Sequence, residues 1–287
     1  MSKIKVSELF YSLQGEGRFV GVPSVFLRTF GCNFTCGGFG MPRGEISDER
    51  EFVDPKQFRL YEELPLTKTG CDSYPSWDPR FKDFSPLIEV NGLVDKMTDL
   101  TPNNLWEQNN GNDVHLVITG GEPLLGWQRS YIELLSHDKM QDLQNLTFET
   151  NGTQLLHNDF REYLFQEWTR FGRDRDYLTF SVSPKLSASG EKWEDAIKPE
   201  VIMDYQSIGH TYLKFVVDNE EHFAEVIKAT DEYRKAGFGG KVYVMPVGGV
   251  SSLYDLNKFN VAEAALKMGY NYSPRLHVDI WGNAWAK

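Results

Sequence analysis

The stretch GCNFTCGGFGMPRGE, Gly31 to Glu45, decides how this chain is read. It opens with two cysteines, Cys32 and Cys36, four apart, as at the start of a cluster-binding loop. A third thiol is expected three residues on, but that position is Phe39. The one remaining cysteine is Cys71, in TGCDSYPSWD. The closure entropy of a loop grows only logarithmically with its length, so Cys71 is able to return beside Cys36. The set then reads C-x3-C-x34-C, with residues 37–70 inserted between the second and third thiols. Three thiolates would bind three irons of a [4Fe–4S] cluster and leave the fourth open to a small chelating ligand. Clusters that only carry electrons normally have four protein ligands. Two plainer readings stay open here. Scattered cysteines in a reducing compartment are commonly buried small hydrophobes. A structural zinc would want a fourth ligand, and the nearest histidine in sequence is His115.

Around this loop the chain has the composition of an ordinary globular protein. Of 287 residues, 40% are hydrophobic and 25% charged. With 30 basic and 41 acidic residues the formal charge is −11, and no basic run stands out. Such a chain is a poor holder of a phosphate backbone, so a small-molecule substrate is expected and direct nucleic-acid binding is not. The first residues, MSKIKVSELFYSLQGEG, lack the apolar core of a signal peptide. No stretch approaches the roughly 20 apolar residues of a membrane helix. A cytoplasmic, reduced protein without a membrane partner is the expectation, and an odd cysteine count argues against a disulfide framework.

Short β-branched or aromatic runs predict strands over 24–30, 114–119, 146–150, 177–183, 211–217, 241–247 and 275–281. Helical patterns cover 130–143, 220–237 and 256–269, the last two ending at Gly237 and Gly269. Strands alternating with helices imply βαβ units and a parallel sheet. Residues 37–86 break the rhythm with Pro42, Pro55, Pro65, Pro75, Pro79 and Pro86 and little apolar period. So long an irregular stretch is commonly functional. Its Gly37, Gly38 and Gly40 suggest a mobile start.

VITGGEPLLG, Val117 to Gly126, ends a predicted strand in a Gly-Gly-Glu-Pro turn. Two residues without Cβ atoms let backbone approach a ligand closely, and Glu122 offers a carboxylate to an ammonium group. Downstream of C-x3-C, this turn resembles that of the radical S-adenosylmethionine enzymes. Within them the chain resembles the 7-carboxy-7-deazaguanine synthases. The match is carried by ELFYSLQGEGRFVGVPSVFLRTFGCNFTC (Glu8–Cys36), CDS (Cys71–Ser73), TGGEP, ETNGT (Glu149–Thr153), SVSPK (Ser181–Lys185) and RLHVDIWGN, in family order. In that family Asp and then Thr or Ser follow the final cluster cysteine, as Asp72 and Ser73 follow Cys71.

The resemblance implies a fold, a reaction and a set of roles. The fold is a partial, open β/α barrel of the radical S-adenosylmethionine type, one domain over 1–287, with six or so parallel strands. The reaction converts 6-carboxy-5,6,7,8-tetrahydropterin to 7-carboxy-7-deazaguanine and ammonia, with a [4Fe–4S] cluster, S-adenosylmethionine and Mg²⁺. Cys32, Cys36 and Cys71 would bind the cluster. Asp72, Gly121, Glu122, Thr150, Asn151, Ser183 and Lys185 would line the S-adenosylmethionine site. Leu13, Gln14, Gly15 and Glu16 would cradle the pterin, with Thr119 a hydrogen-bond partner. Arg28 would meet the substrate carboxylate, or else a structural carboxylate of the fold. Ser73 would ligate Mg²⁺. Lys287 would turn its carboxylate toward substrate, although the tail WGNAWAK departs from those of the family. Trp281 and Trp285 read as packing residues. An electron donor such as flavodoxin or ferredoxin is implied, and a homodimer is common in the family. The competing readings are another radical S-adenosylmethionine enzyme, an activase or peptide modifier, and a cluster-less binding protein with this fold.

Overall fold

Two aromatic-rich strands start the chain. In the computed structural model, which describes residues 2–168 and 177–287, β1 (Lys3–Leu13) pairs antiparallel with β2 (Pro23–Thr29). Ile4, Val6 and Phe10 alternate into the interior, and Phe10 stacks on its cross-strand partner Phe26 at 4.9 Å. The register slips between Val6 and Glu8. Such a bulge re-aims side chains, and here it sets Glu8 opposite Arg28.

After β2 the chain runs through a long excursion to β3 (Leu87–Glu89), which leads into α1 (Val90–Leu100). From there strands and helices alternate: β4 (His115–Gly120), α2 (Gln128–Leu135), β5 (Leu146–Thr150), α3 (Asn158–Glu162), β6 (Leu178–Val182), α4 (Trp193–Ala196) and α5 (Pro199–Ile208). They continue with β7 (His210–Val217), α6 (Glu220–Lys235), β8 (Val242–Pro246), α7 (Ser251–Met268), β9 (Asn271–Tyr272) and α8 (Leu276–Trp281).

One nine-stranded sheet results, in the order β3-β1-β2-β4-β5-β6-β7-β8-β9. It does not close, since β3 and β9 are its two edges. From β2 to β9 every pairing is parallel, while β1 and β3 are added antiparallel. The parallel strands are buried on both faces, which explains their near-continuous apolar runs. Phe148 and Phe180 sit in register on neighbouring strands with rings stacked at 5.7 Å, and Tyr205 of α5 stacks on Phe180 at 4.5 Å. Each such side chain stabilises the fold by roughly 1.5–3 kcal/mol through burial. The register also aligns the strand ends, with Thr29 beside Gly120 and Thr150 beside Val182. The loops that follow therefore share one rim, where sheets of this kind hold ligands.

Three expectations from the pattern need correction. RLHVDIW alternates like a strand, yet Leu276–Trp281 is helical. Only Val278 of it is buried, and Gly282 closes it with φ +64. Local bonds from Val278 and Asp279 N–H to the Arg275 carbonyl replace a sheet ladder. The helix expected over 130–143 breaks at Ser136, and a separate 3-10 turn follows at Asp138–Met140. The excursion does not start loosely. The Gly38 N–H donates to the Ser189 carbonyl at 2.9 Å, and a Cβ on Gly38 would lie 2.6 Å from the Gly190 nitrogen. These glycines serve close packing.

The excursion also has a core of its own. Tyr61, Leu64, Tyr74 and Phe81 are buried together, with Val53, Phe58, Trp77, Phe84 and Trp285 against them. Among the described residues, no helix is long and apolar enough to cross a membrane.

Candidate active site

A cleft opens along the rim of strand ends. Cys32, Cys36 and Cys71 all line it, and they pack in one cluster with Phe34, Phe39 and Ala196. The chain thus brings its distant thiol back to the first pair. Cys36 has φ +48, a left-handed conformation that costs a β-carbon residue energy. The Glu191 carboxylate holds it there, accepting from the N–H groups of Thr35 and Cys36, both at 2.8 Å. Burial pushes the Cys32 thiol up to about 12, and the Cys36 and Cys71 thiols up as well. Nearby positive charge is needed to keep them as thiolates, and Lys185 supplies part of it. Among the described residues no three His, Cys, Asp or Glu groups are set to grip a single metal ion. A shared space walled by three soft donors fits a larger iron–sulfur unit.

Next along the rim, Gly120 ends β4 and Gly121 follows it. A Cβ on Gly121 would lie 2.4 Å from the Gly31 carbonyl oxygen and 2.7 Å from the Cys32 Cβ. Only glycine lets this turn sit against the cysteine loop. The Glu122 N–H donates to that same Gly31 carbonyl at 2.7 Å. The Glu122 side chain does not face the cleft, in contrast to the carboxylate expected to meet an ammonium group. It is fully buried behind the wall. There it accepts from Thr150 Oγ1 at 2.8 Å, Asn151 N at 2.7 Å and Leu124 N at 3.0 Å. Burial pushes its carboxyl up, against the lowering by these N–H donors. Glu122 braces Thr150 and Asn151, which do line the cleft, as do Gly121, Ser183 and Lys185. Lys185 Nζ donates to Ser183 Oγ at 3.2 Å and lies 5.9 Å from the Phe39 ring centroid.

The cleft also carries a dense charge network. Leu13, Gln14, Gly15 and Glu16 line the cleft where β1 ends. Lys214 of β7 reaches Glu16 at 2.6 Å and Glu149 of β5 at 2.9 Å. Arg275 reaches the other Glu16 oxygen at 3.1 Å and Asp72 at 2.6 Å, and also donates to the Gly248 carbonyl. Burial pushes the Glu16 carboxyl up, but Lys214 and Arg275 pull it well below the ordinary range. The Asp72 carboxyl follows the same logic, with Arg275 outweighing burial. Burial, then the Arg275 charge, pushes His277 down to about 4. Both carboxylates are ionised and His277 is neutral near pH 7.

The third wall joins the excursion to the tail. Arg28 donates from Nε to Glu8 at 2.6 Å and from Nη1 to Ser73 Oγ at 3.2 Å, and Ser73 donates to Asp72 at 3.2 Å. A carboxylate of the fold thus engages one side of Arg28, while the residue still lines the cleft. Thr119 and Lys287 line it too. The tail is held by the Ala286 N–H on Glu8 at 3.0 Å, and by Trp285, whose indole donates to the Leu64 carbonyl at 2.6 Å and meets Tyr61 edge-on.

Glu8, Glu149, Glu191, Lys214, Arg275 and His277 also take part in these bonds, and the sequence motifs assign none of them a role. One signal was available: Lys214 is the lone charge in the apolar run TYLKFVV. A charge inside a buried strand demands a partner.

Fold and cleft together define the class: an open-sheet α/β enzyme with a cleft carrying charged and thiol groups at the carboxyl ends of its parallel strands. A crystal structure of QueE from Escherichia coli has the same fold, with TM-score 0.54, 18% identity and coverage of 96% of this chain and 95% of that one. No family model matches. Curated relatives do. A 7-carboxy-7-deazaguanine synthase of Halobacterium salinarum is 31% identical over 98% of this chain and 91% of its own length. Another, from Pyrobaculum aerophilum, is 29% identical over 99% of this chain and 98% of its own. The chain belongs to the 7-carboxy-7-deazaguanine synthase family.

Proposed function

We infer that this chain is a radical S-adenosylmethionine lyase that converts 6-carboxy-5,6,7,8-tetrahydropterin to 7-carboxy-7-deazaguanine and ammonia, in 7-deazapurine biosynthesis of the queuosine type. One observation carries the reading: all three thiols of this family member pack together on the wall of a single cleft. The fold is then the open barrel of the radical S-adenosylmethionine type, and residues 37–70 are an insertion in its cluster loop.

Cys32, Cys36 and Cys71 would hold a [4Fe–4S] cluster, which together with S-adenosylmethionine would supply the radical hydrogen-transfer chemistry. The protein's part is to bind, orient and shield. Gly121, Thr150, Asn151, Ser183, Lys185 and Asp72 form the S-adenosylmethionine wall, with Glu122 bracing it from behind. Gln14 and Glu16 present acceptors to the amino and ring N–H groups of the pterin. Arg28 and Thr119 face its carboxylate and ring. Ser73 offers one hard oxygen to Mg²⁺ and has Asp72 beside it, so most of an octahedron must come from substrate and water. The electron comes from a small redox protein of the flavodoxin or ferredoxin kind.

Anaerobic reconstitution with iron counting tests the reading. Wild type is expected to take up a four-iron cluster and to turn over the carboxytetrahydropterin. Cys71→Ala is expected to lose both, and Phe39→Ala to keep both. A Cys71→Ala chain with wild-type iron and turnover would overturn the ligand set.

A further inference from the structure

The charges on the cradle wall close into a ring. Gln14 Nε2 donates to Glu149 Oε1 at 3.1 Å. Lys214 Nζ donates to Glu149 Oε2 at 2.9 Å and to Glu16 Oε2 at 2.6 Å. The Glu16 N–H returns to Gln14 Oε1 at 3.1 Å. The ring joins the end of β1 to β5 and β7, and all four residues line the cleft. Lys214 is only 2% exposed and sits between two carboxylates on two different elements.

A stability pair would need neither the cleft nor the link to Gln14. This ring fixes the rotamers of the two cradle side chains that face a ligand. Each carboxylate oxygen keeps a second lone pair beyond its bond to Lys214, Gln14 or, for Glu16 Oε1, Arg275. Fixed acceptors that stay unpaired without the right donors reject analogues lacking those donors.

We propose that Lys214 is the positioning residue that fixes Gln14, Glu16 and Glu149 as acceptors for the amino and ring N–H edge of an aminopyrimidinone, and so sets substrate selection at this site. The proposal rests on the reading of function above. Removing the lysine leaves Glu149 with Gln14 alone and beside the like charge of Glu16, which Arg275 still holds, so the Glu149 carboxylate swings away or shares a proton. Either outcome spoils the acceptor array.

The test uses the full chain, reconstituted anaerobically, with 6-carboxy-5,6,7,8-tetrahydropterin and its analogue lacking the 2-amino group. Lys214→Met is expected to keep wild-type iron and S-adenosylmethionine affinity. Its KM for the pterin rises about tenfold or more, while kcat at saturation falls far less. Wild type prefers the pterin over the analogue, and the variant loses that preference. The double variant Glu149→Gln with Lys214→Met removes one charge of each sign, and it is expected to fold and to show the same rise in KM. Unchanged pterin affinity and preference in either folded variant overturns the proposal. Failure of both variants to fold also overturns it, because the lysine is then a stability residue. A wild type that takes up iron yet binds no pterin overturns the functional reading itself, an outcome visible before any variant is made.

Discussion

Arg275 and Asp72 meet at 2.6 Å although 203 residues separate them in the chain. Asp72 directly follows the third thiol, and Arg275 enters the last helix. The same guanidinium holds Glu16 at 3.1 Å. One side chain therefore ties the cysteine loop to the pterin cradle, and the fork of a guanidinium is what reaches both.

Arg275→Met should be strongly destabilising. It leaves Asp72 and Glu16 in a buried site without their shared cation, a loss of about 3–5 kcal/mol. Arg275→Lys should recover only part, since a point charge does not span two carboxylates. Urea unfolding of the three proteins checks this, and equal midpoints would refute the role.

Glu191→Ala should weaken the cysteine loop. The carboxylate accepts from Thr35 N, Thr35 Oγ1 and Cys36 N, and so holds Cys36 at its positive φ. The stability loss should be about 1 kcal/mol, because water replaces part of the bonding at this exposed edge. Iron uptake should suffer more than stability. Glu191→Gln, which keeps an acceptor oxygen, should restore most of it. Full iron uptake by Glu191→Ala would show that the loop holds itself.

Stability should fall on mild acidification. Burial, then the Arg18 charge, pushes His115 down to about 3, and His277 stands at about 4. Unfolded, each titrates near 6.5. The unfolded chain therefore binds more protons between these values. The stabilisation is complete above pH 6.5 and is lost as pH falls, at up to about 1.4 kcal/mol per pH unit for each histidine. The lowered carboxyls of Asp72 and Glu16 extend the loss to lower pH, as they protonate. His115→Gln keeps a partner for Thr147, which lies 2.8 Å away, but does not titrate. Its unfolding free energy between pH 7 and pH 5 should slope less steeply, and parallel slopes would count against this account.

Trp285→Ala should free the tail with little effect on the main sheet. The indole packs on Tyr61 at 5.1 Å and donates to Leu64, both residues of the excursion. Amide exchange at Ala286, whose N–H is held by Glu8, should quicken, and KM for the pterin should rise. Unaltered exchange there would mean that Glu8 alone seats the tail.

Local pattern made much of this protein legible. Strand positions followed from β-branched and aromatic runs, because burial on both faces of a parallel sheet requires continuous apolar stretches. Motifs pointed to a good part of the residues that line the cleft, the three thiols and the ends of β1, β4, β5 and β6 among them. Spacing also raised the return of Cys71, since loop closure costs little extra with length. Tertiary structure decided the rest. RLHVDIW carries a strand pattern, but its helical form turns on the Gly282 cap and on the sheet edge that it leaves. Glu122 carries a ligand-binding motif, yet its carboxylate is used behind the wall. The carboxylates that Lys214 and Arg275 pair with, and the loop that Glu191 holds, lie 65 to 259 residues away in the chain. Such pairings depend on strand order and register, which no local window of sequence contains.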